Sequence, residues 1–216
     1  MQGWWVIEAL NVSPAYLASW VFWVIFSVCL HELGHGWAAI WQGDRTPIEL
    51  GHMTWNPLIH MGPISLLLFA LFGFAWGAMP VNPGRFRSRY GDAMVSAAGP
   101  LMNLLLAAFC LAAIAVLVRI VGGNSIDTPG VRNLMMFLTS GLWLNLVLMM
   151  FNLFPIPPLD GSRILGDFFP PYARFFGNQQ GNFAAVFGFA ILFIFVSPYI
   201  QRVALIATSE LIGWAV

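Results

Sequence analysis

Long apolar runs, separated by short clusters of glycine, proline and charge, set the plan of the chain. Tyr16–Trp41 is 26 residues, about 39 Å as a helix, enough to cross a hydrocarbon core of about 30 Å with some tilt. Ala93–Val118, between Asp92 and Arg119, is a second span, and Leu134–Phe154 a third. Phe183–Val196 opens the last one, which Pro198 kinks or ends; the tail to Val216 reads as an interfacial helix or part of a further short span. Ile64–Met79 is apolar but has only 16 residues, about 24 Å, which is short for a crossing. Thr46–Pro57 mixes polar and apolar residues between turn formers, and a short extended hairpin is expected over Pro47–Trp55. Non-helical backbone at membrane depth has to line a cavity or pack on protein, and a free strand edge there would take a peptide by β-addition. Gly122–Gly130 is a polar loop, and Ser162–Gly181 a connector. The pattern predicts an all-α polytopic membrane protein with about five membrane segments plus a short membrane-embedded β-hairpin. No internal repeat and no soluble domain is visible.

Composition agrees. Hydrophobic residues are 59% and charged residues 8%, against about 25% charged in soluble domains, and mean hydropathy is +0.79. Net charge is zero and lysine is absent, so nothing attracts a nucleic acid. Cys29 and Cys110 lie mid-span and read as packing residues. Met1–Asn11 lacks the basic start of a signal peptide. Trp4 and Trp5 suit a membrane-interface segment.

Within the first span, His31, Glu32 and His35 are the only ionisable side chains apart from Tyr16 and Cys29. Residues i and i+4 share one face of a helix, so His31 and His35 suit one zinc ion. Glu32 is turned by about 100° and suits a general base acting on water beside that ion. Ionisable groups at membrane depth cost on the order of 2–3 kcal/mol each, so three together need a common purpose. Catalytic zinc takes a third protein ligand. Most other carboxylates sit at span ends or in loops. Asp160 follows the helix-breaking Pro155-Ile156-Pro157-Pro158 run, where a turned chain aims a carboxylate into the bundle. His52 and His60 are rival ligands.

His31-Glu32-Leu33-Gly34-His35, taken with Asn152-Leu153-Phe154-Pro155-Ile156-Pro157-Pro158-Leu159-Asp160-Gly161, resembles the site-2 protease family of intramembrane zinc metalloproteases. Ala98-Gly99-Pro100-Leu101-Met102-Asn103 and Asn56-Pro57 add to the resemblance, which runs from about Val24 to Gly161. It implies one Zn2+ per chain held by His31, His35 and Asp160, with Glu32 as general base. It implies that Asn152 holds substrate backbone, that Asn103 serves substrate or shapes the site, and that the Pro47–Trp55 hairpin meets substrate. The whole chain, residues 1–216, then reads as one core-only domain without a PDZ or CBS module. An interfacial segment (1–14) leads into a catalytic core (15–161), followed by a connector, last span and tail (162–216).

The expected activity is hydrolysis of peptide bonds in single-span membrane proteins within the bilayer, as in regulated intramembrane proteolysis, with a regulatory or adaptor membrane protein as a further partner. A transporter or a non-catalytic metal-binding scaffold is the alternative. Transport gives no reason for Glu32 beside His31. The arginines distinguish two topologies. A full crossing by Ile64–Met79 with the N-terminus inside places five arginines inside and four (45, 119, 132 and 202) outside; a re-entrant segment with the N-terminus outside moves Arg45 inside and gives six and three. The second is preferred. It places the site nearer the cytoplasmic face, in what reads as a prokaryotic cell membrane.

Overall fold

The structure, a computed structural model, describes residues 4–121 and 128–215. Most of the loop expected over Gly122–Gly130 therefore lies outside the described residues. Helix α1 (Trp5–Val12) turns at Ser13 into α2 (Pro14–Trp41). The Ser13 hydroxyl caps α2 by accepting from the Tyr16 N–H, and Pro14 occupies the first turn, where a missing N–H does no harm. Two short helices, α3 (Thr46–Glu49) and α4 (Pro57–His60), and an apolar one, α5 (Gly62–Phe72), lead to α6 (Gly91–Val121) and α7 (Pro129–Asn152). Beyond the proline run come α8 (Asp160–Phe168), α9 (Pro170–Phe176) and α10 (Gln179–Ile191). A π-type turn over Leu192–Val196 joins α10 to α11 (Ser197–Ala215). Among the described residues, four stretches are long and apolar enough to cross a membrane: Pro14–Trp41, Gly91–Val121, Pro129–Asn152 and Gln179–Ala215.

These spans form one bundle. His35 meets Val95 and His31 meets Asn103, so α2 and α6 run antiparallel. Asn103 meets Asn145, and Gly141 approaches Cys110, so α6 and α7 are antiparallel and α2 and α7 parallel. Trp23, Cys110, Ile114 and Leu142 lie in the buried core between them. Glycines set the approach. A methyl group on Gly34 would lie 2.9 Å from the Ala98 carbonyl oxygen, so α2 and α6 meet backbone to backbone there.

Because α2 and α6 are antiparallel neighbours, the segment joining them leaves and re-enters the same face. Helix α5 goes in and stops at Gly73, which has φ of 81°, the left-handed ending glycine favours. The indole N–H of Trp5 donates to the last-turn carbonyl of Ala70, and that of Trp4 to Ala70 and Leu71. Over residues 74–82 the chain returns outside any helix, with inward hydrogen bonds on the alternate residues Trp76 and Ala78, the pattern of an extended chain, and with Asn82 extended. Trp76 exchanges bonds with the Ser65 hydroxyl at 2.7 and 2.9 Å, the Ala78 N–H donates to the His60 carbonyl, and the Asn82 N–H donates to Asp44. The re-entrant reading of Ile64–Met79 is the one this geometry matches.

Two expectations are corrected. Pro47–Trp55 is not a β-hairpin, and there is no strand among the described residues. Pro47 sits in the first turn of α3, where its ring is preorganised for a helix. Asp44 accepts from the Thr46 N–H and hydroxyl, and Gly51 (φ 71°) ends the turn. What read as strand punctuation is helix punctuation. Second, Arg202, one of the three arginines expected in an outside loop, is helical: α11 carries it inside the candidate span Gln179–Ala215. Pro198 falls in the first turn of α11 and does not end the span.

Candidate metal centre

His31 and His35 follow each other by one turn on α2, and their rings face α6. Asp160 is the first residue of α8, at the N-terminal end, where the helix dipole favours an anion. Its position is set by packing. Arg163 pairs with Asp92, and the Asp167 carboxylate accepts from the Ala93 N–H, so α8 is fastened to the start of α6. A methyl group on Gly161 would strike the Leu153 carbonyl, which is why the chain turns closely enough to bring Asp160 back under α7.

The three side chains meet. Nε2 of His31 lies 3.1 Å from Nε2 of His35 and 3.1 Å from Oδ2 of Asp160; Nε2 of His35 is 3.4 Å from Oδ1 of Asp160. All three residues are 8% exposed. Hydrogen bonds on the far side decide where the ring protons sit. The Gly141 carbonyl can only accept, so Asn145 donates its Nδ2 to it at 2.9 Å. The oxygen of Asn145 then accepts from Asn103 Nδ2 at 2.9 Å. That leaves the Asn103 oxygen to accept from His31 Nδ1 at 2.7 Å. His35 Nδ1 likewise donates to the Val95 carbonyl at 2.7 Å. In their neutral form both rings therefore turn an unprotonated Nε2 inward. Oδ2 of Asp160 is buried with no hydrogen-bond donor. In that state two nitrogen lone pairs and a carboxylate converge on one point.

This donor set fits a cation, and two histidines with a carboxylate are a usual set for catalytic zinc. The bonds to Asn103 and Val95 are the outer supports that orient metal-binding imidazoles. Gly99 supplies the room: a methyl group there would lie 2.6 Å from His31 Nε2. His31, His35 and Asp160 are the one such cluster of ligand atoms among the described residues. The rivals lie outside it. His60 Nε2 donates to the Thr54 carbonyl, and the His52 ring packs edge-on against His60.

Glu32 is 6% exposed and is not part of the ligand cluster. No donor reaches its carboxylate among the described residues. Gly77 of the extended return segment lies against it, where a methyl group would be 2.6 Å from Oε1. Asn152 closes α7 with Nδ2 donating to the Leu148 carbonyl, and among the described residues its side-chain oxygen accepts no hydrogen bond. Asn103 is fully buried, with its amide oxygen bonded to His31 and its nitrogen to Asn145. Asn145, which holds Asn103 in place, is not a residue that the sequence alone singles out. Its signal was its position two helical turns before Asn152, on a helix already expected to carry the second motif.

The sequence pattern of Peptidase family M50 matches residues 19–127 and 114–195. The Bacillus subtilis protein named "Putative zinc metalloprotease YwhC" is 38% identical over 178 residues, 81% of this chain and 78% of that protein. Proteins named "Putative zinc metalloprotease Rip2" also match. The one from Mycobacterium tuberculosis is 31% identical over 199 residues, covering 89% of this chain and 71% of that protein. The one from Mycolicibacterium smegmatis is 32% identical over 168 residues, covering 74% and 59%. No solved structure matches the chain. On its sequence, its membrane helices and its His-His-Asp centre, the chain belongs to Peptidase family M50, the site-2 protease family of membrane metalloproteases.

Proposed function

We infer that the chain is a zinc-dependent endopeptidase that cuts single-span membrane proteins within the bilayer. The observation that carries this is the convergence of unprotonated His31 Nε2, His35 Nε2 and Asp160 inside a membrane bundle, with Glu32 beside them. His31, His35 and Asp160 hold the metal. When bound, zinc supplies Lewis-acid polarisation of a carbonyl and activation of water. Glu32 takes a proton from the attacking water and delivers it to the amide nitrogen as the C–N bond breaks, giving a carboxylate and an amine. The oxygen of Asn152 accepts a backbone N–H of the substrate.

A transmembrane helix hides its peptide bonds, so the substrate has to unwind near the cut. The extended segment over residues 74–82 suits the unwound stretch. Trp76 and Ala78 bond inward, to Ser65 and His60. Ala75, Gly77, Met79 and Val81 alternate with them and have no hydrogen bond from N–H or C=O among the described residues. Alternation puts these unpaired groups on one edge. The substrate adds to that edge as a strand, and the edge passes Glu32 at Gly77. With Arg202 inside its span, the re-entrant topology has six arginines (45, 85, 87, 89, 163 and 174) on the metal-centre side and two (119 and 132) on the other. That bias supports a cytoplasmic site in a prokaryotic cell membrane.

The test is to reconstitute the zinc-loaded chain with single-span substrates in liposomes and map the new termini by mass spectrometry. A cut between the two membrane faces is expected. Cleavage confined to residues outside the bilayer would overturn the intramembrane reading.

A further inference from the structure

A cavity of about 620 Å3 opens between α2, α7 and α11 and shares no residue with the metal centre. Its depth follows from two contacts. Trp143, near the middle of α7, donates its indole N–H to the Gln201 carbonyl. Thr208 lies seven residues on, about 10 Å along α11, toward Met135 and Met136 in the same wall. The cavity thus runs from mid-bundle toward the face opposite the metal centre.

Arg202 lines it. Among the described residues this guanidinium has no carboxylate partner and no hydrogen bond. A charge inside a membrane span is costly, and its usual place is against a partner or a ligand. Two further donors are unmet. Thr208, only 3% exposed, has a buried hydroxyl with no partner, and the indole nitrogen of Trp20 is likewise buried and unbonded. Guanidinium and indole N–H groups donate and cannot accept. Tyr16, Trp143 and Met136 make the remaining wall largely aromatic and apolar. An anionic oxygen on a chain-like apolar body answers both halves. The volume lies within the roughly 300–1,000 Å3 of sites that enclose small molecules, and a helix about 10–12 Å across is too wide to enter it.

We propose that this cavity binds an anionic acyl amphiphile, its acidic oxygens on Arg202 and its chain against Tyr16, Trp143 and Met136. A free fatty acid and a phosphatidic acid share that chemistry. The test uses the full zinc-loaded chain in nanodiscs of zwitterionic lipid. Oleate, methyl oleate and dioleoylphosphatidic acid are the probes, with native mass spectrometry for stoichiometry and brominated acyl chains to quench tryptophan. One acid per chain is expected, with methyl oleate at least about tenfold weaker, the loss expected for a charged hydrogen bond. Arg202→Gln should weaken the acids by a similar factor, and Arg202→Lys should restore much of the binding. Tighter phosphatidic acid assigns the ligand to membrane lipid, tighter oleate to free acid, and either supports the site. Equal binding of acid and ester, or of wild type and Arg202→Gln, overturns it as an adventitious amphiphile only. So does Arg202-dependent capture of a transmembrane peptide with a mid-span glutamate that oleate fails to displace. The acid–ester comparison needs only the wild-type chain, so a variant that fails to fold leaves it standing.

Discussion

The side-chain oxygen of Asn103 lies 2.7 Å from Nδ1 of His31 and fixes the proton there. The inward nitrogen of His31 is bare because of a residue 72 positions away. Replacing Asn103 by Leu removes the acceptor and frees the ring to change tautomer or rotate. Zinc affinity is expected to fall about 10–100-fold, the usual effect of losing an outer support of a metal-binding histidine. A competition titration with a chromophoric chelator measures it. Unchanged affinity would show that the relay from Gly141 through Asn145 and Asn103 does not orient His31.

Gly99→Ala separates helix propensity from site geometry. Inside a helix the change is worth about 1 kcal/mol in favour of alanine. Here the methyl group would sit 2.6 Å from His31 Nε2. The expected result is a folded helical protein with little bound zinc. Normal zinc content with a raised melting temperature would mean that α6 does not crowd the histidines.

Met79→Pro probes the extended edge. It removes one N–H from the unpaired side and leaves the Trp76 and Ala78 bonds in place. Cleavage of a membrane substrate should fall while zinc content stays normal. Full activity would count against strand addition there. Ala78→Pro, which breaks the bond to the His60 carbonyl, should lower thermal stability as well.

Asp44 gives a stability test with a definite sign. It is fully buried at the mouth of the re-entrant segment. Burial alone would raise its carboxyl, but the Asn82 N–H, the Thr46 hydroxyl and N–H, and then the charge of Arg85 together hold it below the usual carboxylate range. A carboxyl depressed in the folded state stabilises above the unfolded value, about 3.9, and loses that contribution as pH falls through the folded one. Asp44→Asn should therefore lower the melting temperature near neutral pH, by roughly 1–3 kcal/mol of stability. The gap to wild type should close below about pH 4. A gap that stays constant into acid would mean the charge contributes nothing.

Much of this was legible in the chain because membrane spans and metal helices announce themselves locally. Tyr16–Trp41 stands out by length and apolarity, and His31 and His35 by a spacing that one helix turn dictates. Asp160 was legible because the prolines before it break α7. The return segment was not, because its form is set by partners far away: Gly73 ends α5, and Ser65, His60 and Asp44 then hold residues 74–82 extended. Thr46–Gly51 carries the same glycine and proline signals, yet Asp44 closes it into a helical turn. Arg202 was misplaced because a π-type turn over Leu192–Val196 carries the helix on past Pro198. Asn145 shows its role only when α6 and α7 are side by side.

The re-entrant topology predicts which loops share a face. Single cysteines at Gly51, Gly84 and Gly130, in a chain whose native Cys29 and Cys110 are buried, can be labelled in sealed vesicles. Positions 51 and 84 should react from the cytoplasmic side and 130 from the other. Reaction of 84 and 130 from the same side would reject it.

The most direct test of the proteolytic centre is the cleavage rate of Glu32→Gln in a chain that still binds one zinc. Glu32 stands beside the three ligands and is not one of them, so glutamine should leave zinc content unchanged. The rate is expected to drop by about 10^2–10^4, the range for loss of a general base. Zinc bound and cleavage at the wild-type rate would contradict the account.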